Sequence, residues 1–585
     1  MENRYVFKVA GAAGQGIKTA GLVIAKSLKR AGYYTFGYTE YPSLIRGGHN
    51  VFQIDVSTDP IYSPSQKLNL LLALNEESIA LHVDELDEKS VVIYDSGAFT
   101  IKEAVKSALD AKSAQSYGIP LLTLAKGTGG TAIMKNTVSL GSVWKILGLD
   151  LSILQTVIAE LFNKSEEIIE LNKKCAQIGY DNTKPEDDHK LFKDCIGCNT
   201  NDLDNDLIIA GNEALALGAI AGGVRLYSSY PMTPASSILT FLAEEGTKYG
   251  MVVKQAEDEI TAVNMVVGAN HGGTRALCAT SGGGFDLMTE AISLAGITET
   301  PLPIVLGQRP GPATGVPTWT AQGDLNLALY GGHGEYPRFV VAPGDTTEAF
   351  QLIQVLLNTS EQLQIPAILL TDKLLGESFY TTPSFSESIP INRGELIPDE
   401  DCEKYAEELR YKFTETGISP RWLPGSKGAT YLTNSDEHTP KGYSTEDANE
   451  IKAMVEKRAK KYATLADMIP EANIFGASED IDIAILAWGS TKGVLMDLLS
   501  LTDQRICVIH YNFIWPLKTQ RALDMINKAK YAFSVEGNLD SQFTKIFEAE
   551  SGIKILDKMT KYDGRPIYIE ELLEKISQIS DNQNG

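Results

Sequence analysis

Apolar and polar positions alternate over Tyr5–Ala10, which predicts a strand, and the run Gly11-Ala-Ala-Gly14-Gln15-Gly16 follows it. From Ile17 to Ala31 the apolar positions 22, 24, 25 and 28 share one helical face, with Lys29 and Arg30 in the last turn and Gly32 as the stop. A second strand starts near Tyr33. Strand, glycine loop, helix and strand in that order are the grammar of a parallel sheet. Asn50–Val56 and Ser90–Asp95 read as further strands, and Thr137–Gly141 as a glycine loop before a helix. Residues 1–185 therefore read as one α/β domain.

The same rhythm returns in residues 206–378. Leu207–Ala210 is a short apolar strand, followed by a small-residue helix that opens at Gly211 and ends at Gly222-Gly223. Val224–Tyr227, Met251–Lys254, Arg275–Thr280 and Pro303–Gly307 are the next strands. Thr233 followed by Pro234 predicts a helix cap, with the helix running to about Glu245. Glu257, Asp258 and Glu259 fall at the start of a helix that reaches Gly268-Ala269, and Ser281-Gly282-Gly-Gly-Phe285 reads as a glycine loop before another.

Between these segments the pattern lapses. Residues 186–205 belong to a polar stretch that marks a linker and holds Cys195-Ile-Gly-Cys198. Residues 379–475 are rich in Pro, Gly and charge, with a Lys/Glu-rich helix over Glu446–Leu465, and read as an insertion or arm. Residues 476–585 return to strand and helix, with strands over Ile481–Trp488, Cys507–Tyr511 and Tyr531–Val535. The fold class is α/β, built from several parallel-sheet domains, a division that 585 residues easily supply.

Charge narrows the function. Lys plus Arg is 52 and Asp plus Glu is 75, a net charge of −23, which argues against general nucleic-acid or anionic-membrane binding. No unbroken apolar run approaches the roughly 18 residues of a membrane span. Six scattered cysteines suit a reducing, cytoplasmic compartment and form no four-cysteine cluster motif. The one CxxC is half of a zinc site, a redox pair or no site at all, since no second pair completes it.

Several positions combine chemistry with suitable local structure. Gly14, Gln15 and Gly16 precede a helix N-terminus, where backbone amides can hold an anion, although GxxGxG is not the dinucleotide spacing and a tight turn explains it equally well. Arg46, beside two glycines in Thr39-Glu-Tyr-Pro-Ser-Leu-Ile-Arg46-Gly-Gly-His49, suits a carboxylate or phosphate clamp, or a surface ion pair with Glu40. Thr233 suits a substrate carboxylate or a plain helix cap. Arg309, at a strand end, is a natural carboxylate fork.

The ordered set YPMTPAS, QAEDE, ATSGGGFDLM and GQRPGPATGVPT followed by QGDL resembles the α subunits of 2-oxoacid:ferredoxin oxidoreductases. Upstream, GAAGQG with TEYPSLIRGGHN is similar to the γ domain of that family, fused here to the N-terminus. Downstream, Ile418-Ser-Pro-Arg421-Trp-Leu-Pro-Gly425, Asp436-Glu-His438 and Val455-Glu-Lys-Arg458 extend the likeness over nearly the whole chain. The γ–α order is most like the 2-oxoglutarate and broad 2-oxoacid members.

The resemblance implies a γ-type domain over 1–185, a thiamine-diphosphate-binding domain of the pyrimidine type over 206–378, and a transketolase-C-terminal-like domain over 476–585. It implies CoA-dependent oxidative decarboxylation of a 2-oxo acid, 2-oxoglutarate first and pyruvate or a branched acid as alternatives, with electrons passed to ferredoxin, or the reverse. Carried over by motif, Thr233, Arg309, Thr314 and Thr318 bind substrate. Tyr230, Pro231, Ser281, Gly282 and Glu259 face thiamine diphosphate. Glu259, with Glu257 as the rival, is the carboxylate that activates the pyrimidine ring. Gly14, Gln15, Gly16 and Arg46 are the candidate CoA or anion loop.

No GDG motif is present for the magnesium of the diphosphate. The resemblance therefore assigns Mg and a 4Fe-4S cluster to a separate β subunit, no metal to this chain, and an α2β2 assembly. Acidic ferredoxin is expected to dock mainly on that other subunit. Two departures stand out: Gly283 replaces a common proline, and Trp319 occupies a position where 2-oxoglutarate-selective relatives are expected to carry a base. Two other readings are a non-catalytic scaffold with a degenerate thiamine fold and a stand-alone nucleotide-binding enzyme using GAAGQG.

Overall fold

Strand β1, Arg4–Ala12, opens the first sheet of a computed structural model that describes residues 4–44, 47–162, 165–185, 202–385, 388–405, 409–427 and 430–584. Helix α1 (Ile17–Arg30) follows, then β2 (Tyr34–Glu40), β3 (His49–Ser57), β4 (Leu70–Ala73), β5 (Val91–Asp95) and β6 (Gln115–Ile119). Strands β1, β4, β5 and β6 are parallel, as the sequence predicts. The strand–helix–strand unit does not make neighbours of β1 and β2, however. β3 lies between them, antiparallel to both. Residues 41–48 alone join β2 to β3, fewer than the roughly dozen that a parallel crossover needs, so the chain returns antiparallel.

The expected glycine loop at Thr137–Gly141 is also corrected. Those residues lie inside helix α2 (Lys135–Leu147), which packs on α3 (Glu166–Asn182). A Cβ on Gly141 would sit 1.9 Å from the Ala176 carbonyl oxygen. Gly141 therefore permits close helix contact; it does not break the chain.

The chain divides into two compact units, Met1–Ile209 with Ser378–Ser384 and Tyr568–Gly585, and Ala210–Glu377 with Phe385–Ile567. Strand β7 (Leu207–Ala210) closes one edge of the first sheet, whose order, with β14 spanning Phe379–Thr382, is β6-β5-β4-β1-β3-β2-β14-β7. In the second unit, α4 (Gly211–Ala221), β8 (Leu226–Ser229), α5 (Ser236–Glu245), β9 (Val252–Gln255), α6 (Glu259–His271), β10 (Ala276–Ser281), α7 (Gly282–Ile297) and β11 (Leu302–Gln308) follow in turn. β12 (Phe339–Val341), α8 (Thr346–Leu363) and β13 (Pro366–Asp372) complete this run, and β14 (Phe379–Thr382) pairs antiparallel with β2 in the first unit's sheet. A later group comprises helix α9 (Ala448–Met468), β15 (Asn473–Gly476), β16 (Ile483–Trp488), β17 (Ile506–Tyr511), β18 (Phe513–Trp515), β19 (Tyr531–Glu536) and β20 (Asp557–Thr560).

Two sheets result, β18-β12-β13-β11-β10-β8-β9 and β15-β17-β16-β19-β20. They are parallel except at the β12–β18 and β15–β17 pairs. One apolar core joins them, from Val263, Cys278, Met288 and Ile304 to Trp488, Ile509 and Phe543. Mostly parallel, multi-strand sheets match the α/β class read from the sequence. No helix among the described residues is long and apolar enough to cross a membrane.

The motifs downstream of residue 379 pin the arm to this unit. Glu299, fully buried just beyond α7, receives Lys457 and Lys461 of α9, each at 2.6 Å. Burial opposes its charge, but the two ammonium groups outweigh that and hold the carboxyl well below the usual carboxylate range. Glu361 of α8 pairs with Arg275 at 2.5 Å, Arg393 at 2.7 Å and Arg421 at 3.5 Å. Arg458 grips Glu437 with two bonds of 2.9 and 2.5 Å, and His438 packs on the Tyr411 ring.

Removing one partner of such a pair leaves buried charge uncompensated. Glu299→Gln is expected to cost about 3–5 kcal/mol and to lower the unfolding midpoint of the assembled protein. Lys528→Ala, which breaks an exposed pair with Glu479, should leave that midpoint in place. Equal midpoints for both variants in thermal denaturation would contradict the assignment of the arm's anchor.

Candidate active site

β8, β10 and β11 are adjacent and parallel, so their carboxyl ends open on one rim of the sheet, the position where ligands bind in open α/β folds. The turn Tyr230–Ala235 leaves β8, helix α7 begins directly after β10, and the irregular loop from Arg309 leaves β11.

Glu259 stands at the first position of α6. The expected trio of acids in one helical turn resolves into three different environments. Glu257 is exposed and precedes the helix. Asp258 is the cap, its carboxylate accepting from the Thr261 amide at 2.7 Å. Glu259 is 4 % exposed, and its Oε1 is buried with no hydrogen-bond partner. Burial thus separates Glu259 from its rival Glu257.

The glycine run is the first turn of α7 and not a loop ahead of it, because Ser281 ends β10 and Gly282 already has helical geometry. Each glycine has a different neighbour. A Cβ on Gly284 would meet Thr280 Oγ1 at 2.0 Å and Glu259 Oε1 at 2.7 Å. On Gly282 it would meet the Asp324 carboxylate at 2.8–3.0 Å. Beside Gly283 the nearest such atom is the Ala313 carbonyl oxygen, 3.8 Å away. Two carboxylates are therefore seated on the helix N-terminus, with a clear face between them.

Thr233 does not cap α5. That helix starts at Ser236 with Ala235 before it and no side-chain cap. The reason is the tertiary use of the turn: Arg309 Nη1 donates to the Thr233 carbonyl at 2.7 Å, and Asn212 Nδ2 donates to the Pro234 carbonyl at 2.8 Å. Arg309 is itself buried, and its Nε has no partner. Burial lowers the guanidinium pKa, and the negative charges of Asp324 and Glu259 oppose that. Ser281 Oγ and Thr318 Oγ1 are likewise buried and unpartnered. Tyr230 and Pro231 lie at the exposed lip, and Thr314 is exposed on the loop.

Two residues escaped the sequence reading. Asp324, within the quoted QGDL, has a buried Oδ2 without a partner. Burial first, and then the neighbouring charge of Asp286, pushes its carboxyl up to about 6, against the opposing pull of Arg309. Arg565 is distant in sequence, yet its guanidinium carbon lies 3.3 Å from the centroid of the Trp319 ring. Lys373 Nζ is 5.9 Å from the same ring. No local pattern announces either contact.

In the N-terminal unit, Gln15 folds back so that its Oε1 accepts from the Ala12 amide at 2.7 Å, and Asn136 donates to the Gln15 carbonyl at 2.6 Å. Gly14 and Gly16 both adopt left-handed backbone. Arg46, Cys195 and Cys198 lie outside the described residues. Lys8 of β1 is buried and pairs with Glu85 at 2.5 Å. Glu85 also contacts His82 at 2.6 Å, and His82 contacts His49 at 2.8 Å. Among the described residues no three His, Cys, Asp or Glu side chains come together as a metal-binding group.

Comparison with known proteins places this geometry. The family model described as "Pyruvate flavodoxin/ferredoxin oxidoreductase, thiamine diP-bdg" matches residues 217–457, and "Pyruvate ferredoxin/flavodoxin oxidoreductase" matches residues 6–182. The 2-oxoacid:ferredoxin oxidoreductase subunit alpha of a Sulfolobus species is 31% identical over 98% of this chain and 97% of its own length. Subunit alpha of 2-oxoacid:ferredoxin oxidoreductase 1 from Sulfurisphaera tokodaii is 31% identical over 98% of both. Among solved structures, the 2-oxoglutarate:ferredoxin oxidoreductase of Magnetococcus marinus, with 2-oxoglutarate, coenzyme A and succinyl-CoA bound, covers 99% of each chain at 28% identity and a TM-score of 0.88. With matches of this extent to alpha subunits, the chain belongs to the 2-oxoacid:ferredoxin oxidoreductase family.

Proposed function

We propose that this chain is the α-type subunit, with a γ-type domain fused over residues 1–185, of a CoA-acylating oxidoreductase acting on 2-oxoglutarate and reducing ferredoxin. The observation that carries the reading is the buried, partnerless Oε1 of Glu259 beside the clear face at Gly283. A buried polar atom without a partner is costly, and at the carboxyl ends of parallel strands a bound ligand is placed to satisfy it. A flat heterocycle with a ring nitrogen, the pyrimidine end of thiamine diphosphate, suits that donor set. Glu259, Ser281 and Gly282 would hold it, with Tyr230 and Pro231 at the lip.

Thiamine diphosphate supplies, when bound, a carbon nucleophile for the keto group and an electron sink for loss of carbon dioxide. Glu259 holds or releases a proton at Oε1 against the pyrimidine ring. Arg309 keeps Nε for the substrate carboxylate while Nη1 is tied to the Thr233 carbonyl, so the clamp is oriented before substrate arrives. Thr318 offers its unpartnered hydroxyl within the same loop, and Thr314 the exposed edge.

The diphosphate, magnesium and 4Fe-4S cluster are assigned to a β subunit in a cytoplasmic α2β2 assembly. Ile260 and Met265 on α6 and Leu287 on α7 are exposed apolar side chains near the site, as a partner's contact surface requires. The second carboxylate of 2-oxoglutarate wants a cation, and Arg565 brings one over Trp319 although the loop itself lacks a base. The likeness to the Magnetococcus marinus enzyme supports the same substrate. The alternative, pyruvate or a branched 2-oxo acid, rests on the apolar ring of Trp319.

Three outcomes test this in the complex purified with its partner. Glu259→Gln should remove most 2-oxoacid-dependent ferredoxin reduction with assembly intact, while Glu257→Gln retains it; the reverse order would transfer the role to Glu257. Gly284→Ala should abolish activity by displacing Glu259 and Thr280, whereas Gly283→Ala is tolerated, and equal activities would refute the seating. Arg565→Met should raise the KM for 2-oxoglutarate about tenfold and leave that for pyruvate unchanged. Robust turnover by this chain alone would overturn the two-subunit reading.

A further inference from the structure

In the sheet β15-β17-β16-β19-β20 the chain leaves β16 for β17 on one side and later enters β19 on the other. β16 and β19 are adjacent and parallel, so the crevice beyond their carboxyl ends is where an open α/β sheet takes a ligand. Here a residue from the loop after β11 fills it. Gln322 is 2 % exposed, and all four of its polar groups are engaged there. Its Nε2 donates to the Trp488 carbonyl at 3.0 Å, and its Oε1 accepts from the Gly537 amide at 2.8 Å. Its own amide donates to the Gly537 carbonyl at 2.7 Å, and its carbonyl accepts from Asn538 Nδ2 at 3.1 Å. Trp488 ends β16, and Gly537 and Asn538 follow β19. A Cβ on Gly489 would lie 3.0 Å from Nε2 and one on Gly537 3.3 Å from Oε1, so the backbone is bare where the side chain enters. Just upstream, Trp319 lies under the Arg565 guanidinium, and the Thr320 amide donates to the Gly564 carbonyl at 3.1 Å.

We infer that Gln322 is a positioning residue for substrate selection: it seats the return limb of the substrate loop in the crevice of the five-stranded sheet and so fixes Trp319 beneath Arg565. The inference rests on the reading of Arg565 as the cation for the distal carboxylate of 2-oxoglutarate. The two ends of the loop are held separately. Arg309, at its start, is tied to the Thr233 carbonyl. Trp319 and Thr320, near its end, are held by the Gln322 seat and by Gly564 and Arg565 after β20. Breaking the seat therefore loosens the distal wall and spares the clamp for the carboxylate that every 2-oxo acid carries. Gln542 also bonds the end of the loop, its Nε2 donating to the Gly323 carbonyl at 2.8 Å and its Oε1 accepting from the Asn326 amide at 3.0 Å. Those two bonds are exposed, and water can replace them; the buried bonds of Gln322 have no such substitute.

The test uses the complex with its β partner. KM and kcat are measured for 2-oxoglutarate. Binding of two unreactive analogues is measured by calorimetry: N-oxalylglycine, which carries the distal carboxylate, and oxamate, which lacks it. Gln322→Met keeps the length of the side chain and removes both of its hydrogen bonds. It should raise the KM for 2-oxoglutarate about three- to tenfold, weaken N-oxalylglycine by the same factor, and leave kcat and oxamate affinity within about twofold. Asn538→Ala, which breaks the tie from the opposite side, should raise the same KM, and the double variant should do no more than Gln322→Met alone. Gln542→Ala should leave KM in place; a rise equal to that of Gln322→Met would assign the tether to the exposed contact and overturn the inference. Equal weakening of N-oxalylglycine and oxamate, or a fall in kcat alone, would make Gln322 a general support of the fold and overturn it too. Failure of both Gln322→Met and Asn538→Ala to assemble with the partner has the same force. Unaltered N-oxalylglycine binding in Gln322→Met refutes the role of Gln322 and leaves the 2-oxoglutarate reading standing, whereas a native complex that binds no N-oxalylglycine refutes that reading and the inference with it.

Discussion

A carboxylate oxygen buried without a partner sets the terms for the rest of the second unit. Leaving such a group unsatisfied costs about 1–3 kcal/mol, and Glu259, Asp324, Ser281, Thr318 and Arg309 each contribute one unpartnered atom to the same strand ends. The fold tolerates this because the atoms are held by elements that cannot easily move to relieve it. β8, β10 and β11 are central strands of a seven-stranded sheet, and their side chains enter one continuous core. The Gly282–Gly284 run then lets two carboxylates lie directly on the first turn of α7, where free amides and the helix dipole favour negative charge. A residue with a Cβ at either end of that run would push an acid out of its seat.

The same chain shows what buried charge looks like when its purpose is structural. Glu299 has two ammonium groups on it, and Glu361 has three guanidinium groups around it. These acids are as deeply buried as Glu259, yet each is fully answered by side chains of this chain. They tie α9, Arg393 and Arg421 to α8 and to the end of α7. Burial alone therefore does not mark a functional acid here. Glu259 differs from Glu299 and Glu361 in its unanswered Oε1 at the strand ends.

Much of this was legible beforehand, for identifiable reasons. Strands in a mostly parallel sheet are uniform apolar runs, and Leu302–Gln308 or Ile506–Tyr511 can be found from hydrophobicity alone. Motif order picked out Thr233, Glu259 and Arg309, which the fold brings to one rim. What was hidden depends on contacts between distant segments. β3 inserts antiparallel because its connection is too short to cross over. Gly141 reads as a loop glycine until α3 is seen against it. Thr233 has the signature of a cap, but its carbonyl is engaged by Arg309 and the helix begins two residues later. Arg565 supplies over Trp319 the cation that the neighbouring sequence lacks, from a position 246 residues further along.

Charge balance at the rim carries the last step. This chain places two carboxylates, Glu259 and Asp324, within electrostatic reach of a single guanidinium, Arg309. With both acids ionised the trio is already negative, and a substrate carboxylate would add a further negative charge in a site where low dielectric strengthens every repulsion. The guanidinium is the member of the trio whose charge favours a substrate carboxylate, and its bond to the Thr233 carbonyl fixes where that charge is presented.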